Sequence, residues 1–116
     1  MKKMSIIYLA FNHKQVINNF ITGNTKVSIK IGETGHSDVR ASQLKAKGET
    51  IGKYVEVVNN SAVRKYIESY IRLKIQTLTP EAISNGYDHF VIEQGTYKPI
   101  ADNFEDWVYE ALKGIQ

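Results

Sequence analysis

The chain has 116 residues, 42% of them hydrophobic and 23% charged, which describes one globular domain with a single core. The absence of cysteine excludes disulfide frameworks and thiolate metal sites, and fits a cytoplasmic setting. Net charge is only +3 but unevenly spread: residues 1–74 hold 13 Lys and Arg against 5 Asp and Glu, and residues 75–116 hold 2 against 7.

A basic front two-thirds is what a phosphate-binding surface needs, although solvated faces of opposite sign produce the same asymmetry. The opening "MKKMSIIYLAF" invites comparison with a signal peptide. Its apolar run breaks at "NHK" with no small-residue cleavage site and is far too short to span a bilayer, so no membrane association is expected. Residues 5–11 read instead as a first strand.

The polar stretch "NHKQVINNFITGN" (12–24) reads as a long loop holding one helical turn around Gln15–Ile21. In "TKVSIKIGE" (25–33), Val27, Ile29 and Ile31 alternate with Lys26, Ser28 and Lys30, a half-buried strand expected to form a hairpin with the first. "GHSDVRASQLKAKG" predicts a helix with Ser37 as N-cap, Asp38 near its positive end, Lys45 and Lys47 in the last turn and Gly48 as the stop. "IGKYVEVV" (51–58) is a third strand.

"SAVRKYIESYIRLKIQ" (61–76) carries apolar residues at 63, 66, 67, 70, 71 and 75, a helical stripe with Glu68 at its rim. "GYDHFVIEQG" (86–95) reads as a fourth short strand. In "DNFEDWVYEALKGI", Phe104, Trp107, Val108, Ala111, Leu112 and Ile115 share one helix face, and Asp102 with Glu105 makes a capping-box-like start. The expected fold is mixed α/β (α+β): a small antiparallel sheet of three to four strands flanked by helices, with a core over about 5–92 and an added C-terminal helix over about 96–116.

Four features follow in chain order: Tyr8 in "IIY" (6–8), "KIG" (30–32), Arg40 ten residues beyond Lys30, and Glu68 on the amphipathic helix. That order resembles the GIY-YIG nuclease superfamily, in which two short motifs lie on paired strands, an arginine follows on the next helix and a glutamate on a later helix binds a divalent metal. The KIG-type second motif and the segment "VEVVNNSAVRKYIE" look like a branch common in bacteriophage proteins. The resemblance covers roughly residues 5–92.

It implies a DNA endonuclease, RNA not being excluded, that hydrolyses phosphodiesters at a single-metal site. Glu68 would hold one Mg²⁺ or Mn²⁺, with waters and phosphate oxygens completing the shell. Arg40 would grip the scissile phosphate through its fork of donors. Tyr8 would deprotonate or orient the attacking water. A phenol is a poor base at neutral pH unless cations favour its phenolate, a bias that Lys30 and Arg40 would supply. His36, in the turn before the helix, is placed for a general acid or a phosphate contact, or is simply a solvated turn histidine.

The chain departs from the family pattern in two places. Glu33 stands where many members carry a lysine, and a carboxylate there repels phosphate unless a second metal or a salt bridge to Lys30 intervenes. The second tyrosine is missing. Both favour an alternative, a degenerate module of the same fold that binds nucleic acid or a protein without cutting. Asn85 or Asp88 would fill the place of the family's supporting asparagine.

Lys45, Lys47, Lys53, Arg64 and Lys65 are candidates for sequence-independent contacts to the nucleic-acid backbone. The acidic C-terminal helix is a candidate face for a protein partner, and the sequence leaves the oligomeric state open. Glu68 would otherwise pair within its helix with Arg64 or Arg72, each four residues away. Tyr66 and Tyr70 fall in the apolar stripe and are expected in the core. His89 reads as structural or exposed, and no zinc-like spacing or Ser-His-Asp arrangement is present.

Overall fold

The computed structural model describes residues 4–84 and 89–115. They form an α+β fold built on one five-stranded sheet in the order β3-β1-β2-β5-β4. The strands are β1 (Ile6–Asn12), β2 (Lys26–Thr34), β3 (Glu49–Glu56), β4 (Ile83–Ser84) and β5 (His89–Glu93), and the helices are α1 (His13–Thr22), α2 (Ser37–Ala46), α3 (Ser61–Leu78) and α4 (Tyr97–Ile115). All neighbouring strands are antiparallel. The expected three to four strands become five because the two-residue β4 pairs with the outer side of β5. No helix among the described residues is long and apolar enough to cross a membrane.

β1 is an interior strand buried on both faces, which is why its sequence reads as a continuous apolar run rather than an alternation. Ile7 and Leu9 point to the larger core, where Ile29 and Ile31 of β2, Ile67, Ile71 and Ile75 of α3, and Phe104, Trp107 and Val108 of α4 meet them. Ile6, Tyr8 and Ala10 point to the other face, against Leu44 of α2 and Ile51 of β3. The sheet thus separates a thick layer, α3 and α4, from a thin one, α2.

Four expectations need correction. Residues 13–22 form a ten-residue helix, not a loop with one turn. The side chain of Asn12 caps it by accepting from Gln15 N at 3.0 Å, and Gly23, at φ 81°, ends it in the left-handed region that glycine tolerates. Its polar side chains tie it down: Asn19 Nδ2 donates to Lys26 O at 2.6 Å, and Gln15 Oε1 accepts from Ser28 N at 2.6 Å.

The last helix begins at Tyr97, five residues before Asp102, so Asp102 lies inside it and pairs with Lys98 at 2.7 Å instead of capping. Tyr97 anchors that earlier start. Its ring packs edge-on to Phe11, centroids 5.5 Å apart, and its hydroxyl lies over Gly52, where a Cβ would overlap it. Burial there pushes its phenol above the ordinary value.

Ser37, expected as an N-cap, is the first residue of α2. Its hydroxyl accepts from Met4 N at 2.9 Å while its N–H donates to Met4 O at 3.2 Å. Within the α3 stripe, Ile67, Ile71 and Ile75 are buried, but Tyr66 is 44% exposed. Tyr70 packs at the margin of the core, its hydroxyl donating to Glu110 at 2.9 Å.

Candidate functional site

Tyr8 pairs directly with Gly32 of β2 and with Tyr54 of β3, so the three share the α2 face. Gly32 is needed for space, since its φ is not positive. A Cβ there would overlap Cζ and Oη of Tyr8, so the missing side chain lets the phenol lie across β2. Tyr8 is 0% exposed.

Arg40, on the first turn of α2, meets it there. Arg40 Nη1 donates to Tyr8 Oη at 2.9 Å and to Glu33 O at 3.2 Å, and its guanidinium carbon lies 6.0 Å from the Tyr8 ring centroid. Nε and Nη2 have no hydrogen-bond partner among the described residues, so three N–H donors remain available on this half-buried fork. The start of α2 is set by the Ser37–Met4 latch and by Thr34 Oγ1, which accepts from His36 N at 3.0 Å. His36 itself is exposed at the N-cap position, one turn ahead of Arg40, and makes no side-chain cap.

One cross-strand row along, Lys30 pairs with Ala10 on one side and with His89 on the other, so all three share the α2 face. Glu49, paired with Asn12, lies on that face too. His89 Nε2 and Glu49 Oε2 are 3.4 Å apart, with side chains 31% and 10% exposed. The contact joins β5 to β3 over two intervening strands, and the small Ala10 between them leaves the room. Sequence reasoning missed this pair, because β3–β5 proximity appears only once the strand order is known.

Glu33 lies on the opposite face. It pairs with Ile7 and binds Arg64 of α3, Nε to Oε2 at 2.7 Å, instead of Lys30. Arg64 Nη1 also donates to Ser5 Oγ and Asn59 Oδ1, each at 3.0 Å. Arg64 is 9% exposed, with Nε and Nη1 engaged by Glu33, Ser5 and Asn59.

Glu68 is 8% exposed, one turn beyond Arg64. α3 runs antiparallel to β2: Arg64 meets Glu33, while Arg72 lies over Phe90, 5.7 Å from its centroid, and Phe90 pairs with Ile29. Midway between them, Glu68 is level with Ile31 and Gly32 on the α3 side. There the described pairing of β2 with β5 has already ended, at Lys30 and His89. Glu68 and Arg72 each have a further interaction partner.

The remaining cations are dispersed. Lys45 and Lys47 are exposed at the end of α2, on the Tyr8 side, whereas Lys53, paired with Leu9, faces the other way, and Lys65 is exposed on α3. Asn85 and Asp88 lie outside the described residues.

Among the described residues no group of three or more His, Cys, Asp or Glu surrounds a common point. Glu68 offers a single hard carboxylate at the rim of the core. Such a donor fits a cation that keeps most of its water, as Mg²⁺ and Mn²⁺ do, not a closed cage. The chain matches no protein-family model, no curated protein and no solved structure.

Proposed function

We propose that this chain is a metal-dependent DNA endonuclease of GIY-YIG type that acts in the cytoplasm and takes its substrate on the α2 face. The observation that carries the reading is the Tyr8–Arg40 hydrogen bond over Gly32. A guanidinium at a helix start is unfavourable for the helix dipole, and here a buried phenol and a backbone carbonyl hold it in place. That is how a phosphate-binding fork is pre-organised: one edge pinned by the protein, the other presented outward.

Arg40 binds the scissile phosphate and stabilises the charge that develops on it. Tyr8, fully buried, is a positioning residue that fixes Arg40. Lys30 adds positive charge one row away. The Arg64 ion pair accounts for Glu33, whose charge is neutralised on the far side of the sheet. Glu68 lies on the α3 side, level with the part of β2 beyond its described pairing with β5, and would hold Mg²⁺ or Mn²⁺ at that edge of the strand, where the ion would supply charge neutralisation to a phosphate reaching over from the α2 face and a more acidic water.

The test is nicking of supercoiled plasmid and cutting of single-stranded DNA with Mg²⁺, Mn²⁺ or EDTA, for wild type and Glu68→Gln. Cutting that needs metal and disappears in Glu68→Gln is expected. Equal cutting in EDTA or by the variant would overturn the assignment.

A second reading, binding without cutting, is favoured by the complete burial of Tyr8, which keeps its hydroxyl from an attacking water. A gel shift by wild type with both substrates left intact selects it.

A further inference from the structure

We propose that α1 and the hollow beside it form a self-complementary interface, through which two copies of this chain pair by each inserting Phe20 into the other's hollow. The proposal is independent of the endonuclease reading. The surface lies where β2 begins, on the side of Val27 and the larger core, whereas Tyr8 and Arg40 meet over Gly32 on the α2 face. Six residues of strand, roughly 20 Å, separate Lys26 from Gly32, so pairing leaves both α2 faces open.

α1 carries its apolar residues as one band. At 3.6 residues per turn, Val16, Phe20, Ile17 and Ile21 follow one another over about 140° of the helix surface. Only one edge of the band is used within the chain, where Val16 packs against the core. Phe20 is 93% exposed, the most of any large hydrophobic residue described, and Ile17 and Ile21 are 61% and 77% exposed.

Beside Val16 the surface drops into a hollow of about 360 Å³ walled by Phe11, Val16, Val27 and Tyr97. An apolar cavity of roughly 150 Å³ already takes a benzene ring, so a phenyl group has room there. Gln94 and Gly95 border both this hollow and the depression next to Phe20, which makes projection and recess neighbours on one surface. Their spacing is fixed before any association. Asn19 Nδ2 donates to Lys26 O at 2.6 Å and to Gln94 Oε1 at 3.1 Å, tying α1 to the rim of the hollow.

A projection beside a recess is complementary to itself about a two-fold axis that passes between them. The charges agree with self-pairing. Lys14 is the one Asp, Glu, Lys or Arg of α1, and it lies at the opposite end of the helix from Phe20, its stem over Gly48. Around the hollow, Lys26 is paired with Glu93 at 2.8 Å and Lys98 with Asp102 at 2.7 Å. Two such surfaces meet without like-charge repulsion. A helix that binds a lipid surface instead presents several Lys and Arg beside its apolar band.

The area is sufficient. Ile17, Phe20 and Ile21 together leave roughly 400 Å² of apolar surface on each copy. At the roughly 60% apolar content of protein interfaces, two copies bury about 1,300 Å² in total, at the lower end of the range for specific pairs. A reversible dimer of micromolar affinity is expected.

The test is sedimentation velocity of the full chain from about 1 to 300 µM, a range that brackets micromolar dissociation constants. Wild type should move from 13.2 kDa towards twice that mass as concentration rises. Phe20→Glu should stay monomeric with an unchanged melting temperature, because the ring it removes faces solvent. Gly95→Trp should weaken the dimer about 10-fold or more, since a side chain there has open space at its root and covers the hollow.

Wild type that remains monomeric throughout overturns the proposal, and so does a dimer that survives both substitutions. Masses that grow beyond the dimer overturn the two-fold arrangement. If wild type is monomeric but sediments with phosphatidylglycerol vesicles and Phe20→Glu does not, the band serves a lipid surface and the proposal fails. Should Phe20→Glu not fold, Gly95→Trp decides: an unweakened dimer overturns the proposal.

Discussion

Arg40 and Arg64 both touch Glu33, yet they do opposite things. Arg64 is turned inward and holds the carboxylate, Ser5 and Asn59 together at the base of α3, whereas Arg40 takes only the backbone carbonyl and keeps donors for an outside partner. Glu33→Gln should therefore destabilise the fold by about 3 kcal/mol, since it leaves Arg64 buried without its counter-charge, and thermal unfolding measures this.

Tyr8→Phe keeps the ring but removes the hydrogen bond to Arg40. A bond to a charged group contributes roughly 1.5–3 kcal/mol to stability, and without it Arg40 is no longer held in place, so melting temperature should fall modestly and cleavage about 10- to 100-fold. Gly32→Ala should reduce both stability and cleavage, because its Cβ and the Tyr8 ring need the same space.

The sequence was informative about Tyr8 and Arg40, which lie on elements close in the chain and share a hydrogen bond. It was silent on Glu49 and His89, which are 40 positions apart and meet only through the order of four strands. It also misplaced Glu33, because alternation along β2 puts Glu33 on the opposite face from Lys30, however close the two are in sequence.

Among the elements, strands were the most legible, since period-two alternation in β2 and the apolar run of β1 are local signals. α1 was hidden because only Val16 of its apolar residues packs against a core: Ile17, Phe20 and Ile21 are exposed, and polar side chains anchor the helix instead. The extent of α4, expected over about 96–116, holds at Tyr97–Ile115, but its start does not rest on Asp102. Tyr97 docking on Phe11 and β3 extends the helix upstream of its most evident cap, and Pro99 is tolerated in the first turn.

α3 and α4 are also joined at the surface by Glu110, which accepts from Tyr70 and pairs with Lys74 at 3.3 Å. The hydrogen bond from Tyr70 holds the Glu110 carboxyl below its ordinary value, and Glu110 in turn holds Tyr70 and Lys74 above theirs. A depressed carboxyl stabilises the fold above its unfolded value and loses that contribution as pH falls through its folded value. The raised phenol and ammonium contribute below their unfolded values and lose it as pH rises through their folded ones. Stability of the α3–α4 contact should therefore decline at both extremes. Glu110→Gln should flatten the acid-side decline of melting temperature, and an unchanged slope would show that Glu110 does not cause it.

Across the whole molecule, α2 and α4 carry opposite charge on opposite faces of the sheet, while α3, which shares a layer with α4, is itself basic. α4, with exposed Asp102, Glu105, Asp106 and Glu110, covers the face opposite Tyr8, while Arg40, Lys45 and Lys47 lie along α2 on the near side. On the endonuclease reading, nucleic acid would dock on the α2 face and be repelled from the α4 face. The binding constant for DNA should fall steeply with salt, and Lys45→Ala with Lys47→Ala should reduce that slope by up to about 2, one for each phosphate no longer neutralised. Salt-independent binding would assign the uneven charge to solvation alone.

The roles given to the surrounding residues all depend on Arg40, pinned by Tyr8, acting on the reacting phosphate. Single-turnover cleavage of one labelled DNA in Mg²⁺, with its Kd measured in parallel, puts this to the test for wild type and Arg40→Ala. The variant's rate should be lower by about 10²–10³-fold, with a much smaller change in Kd. Equal rates, or a loss wholly explained by weaker binding, would contradict it.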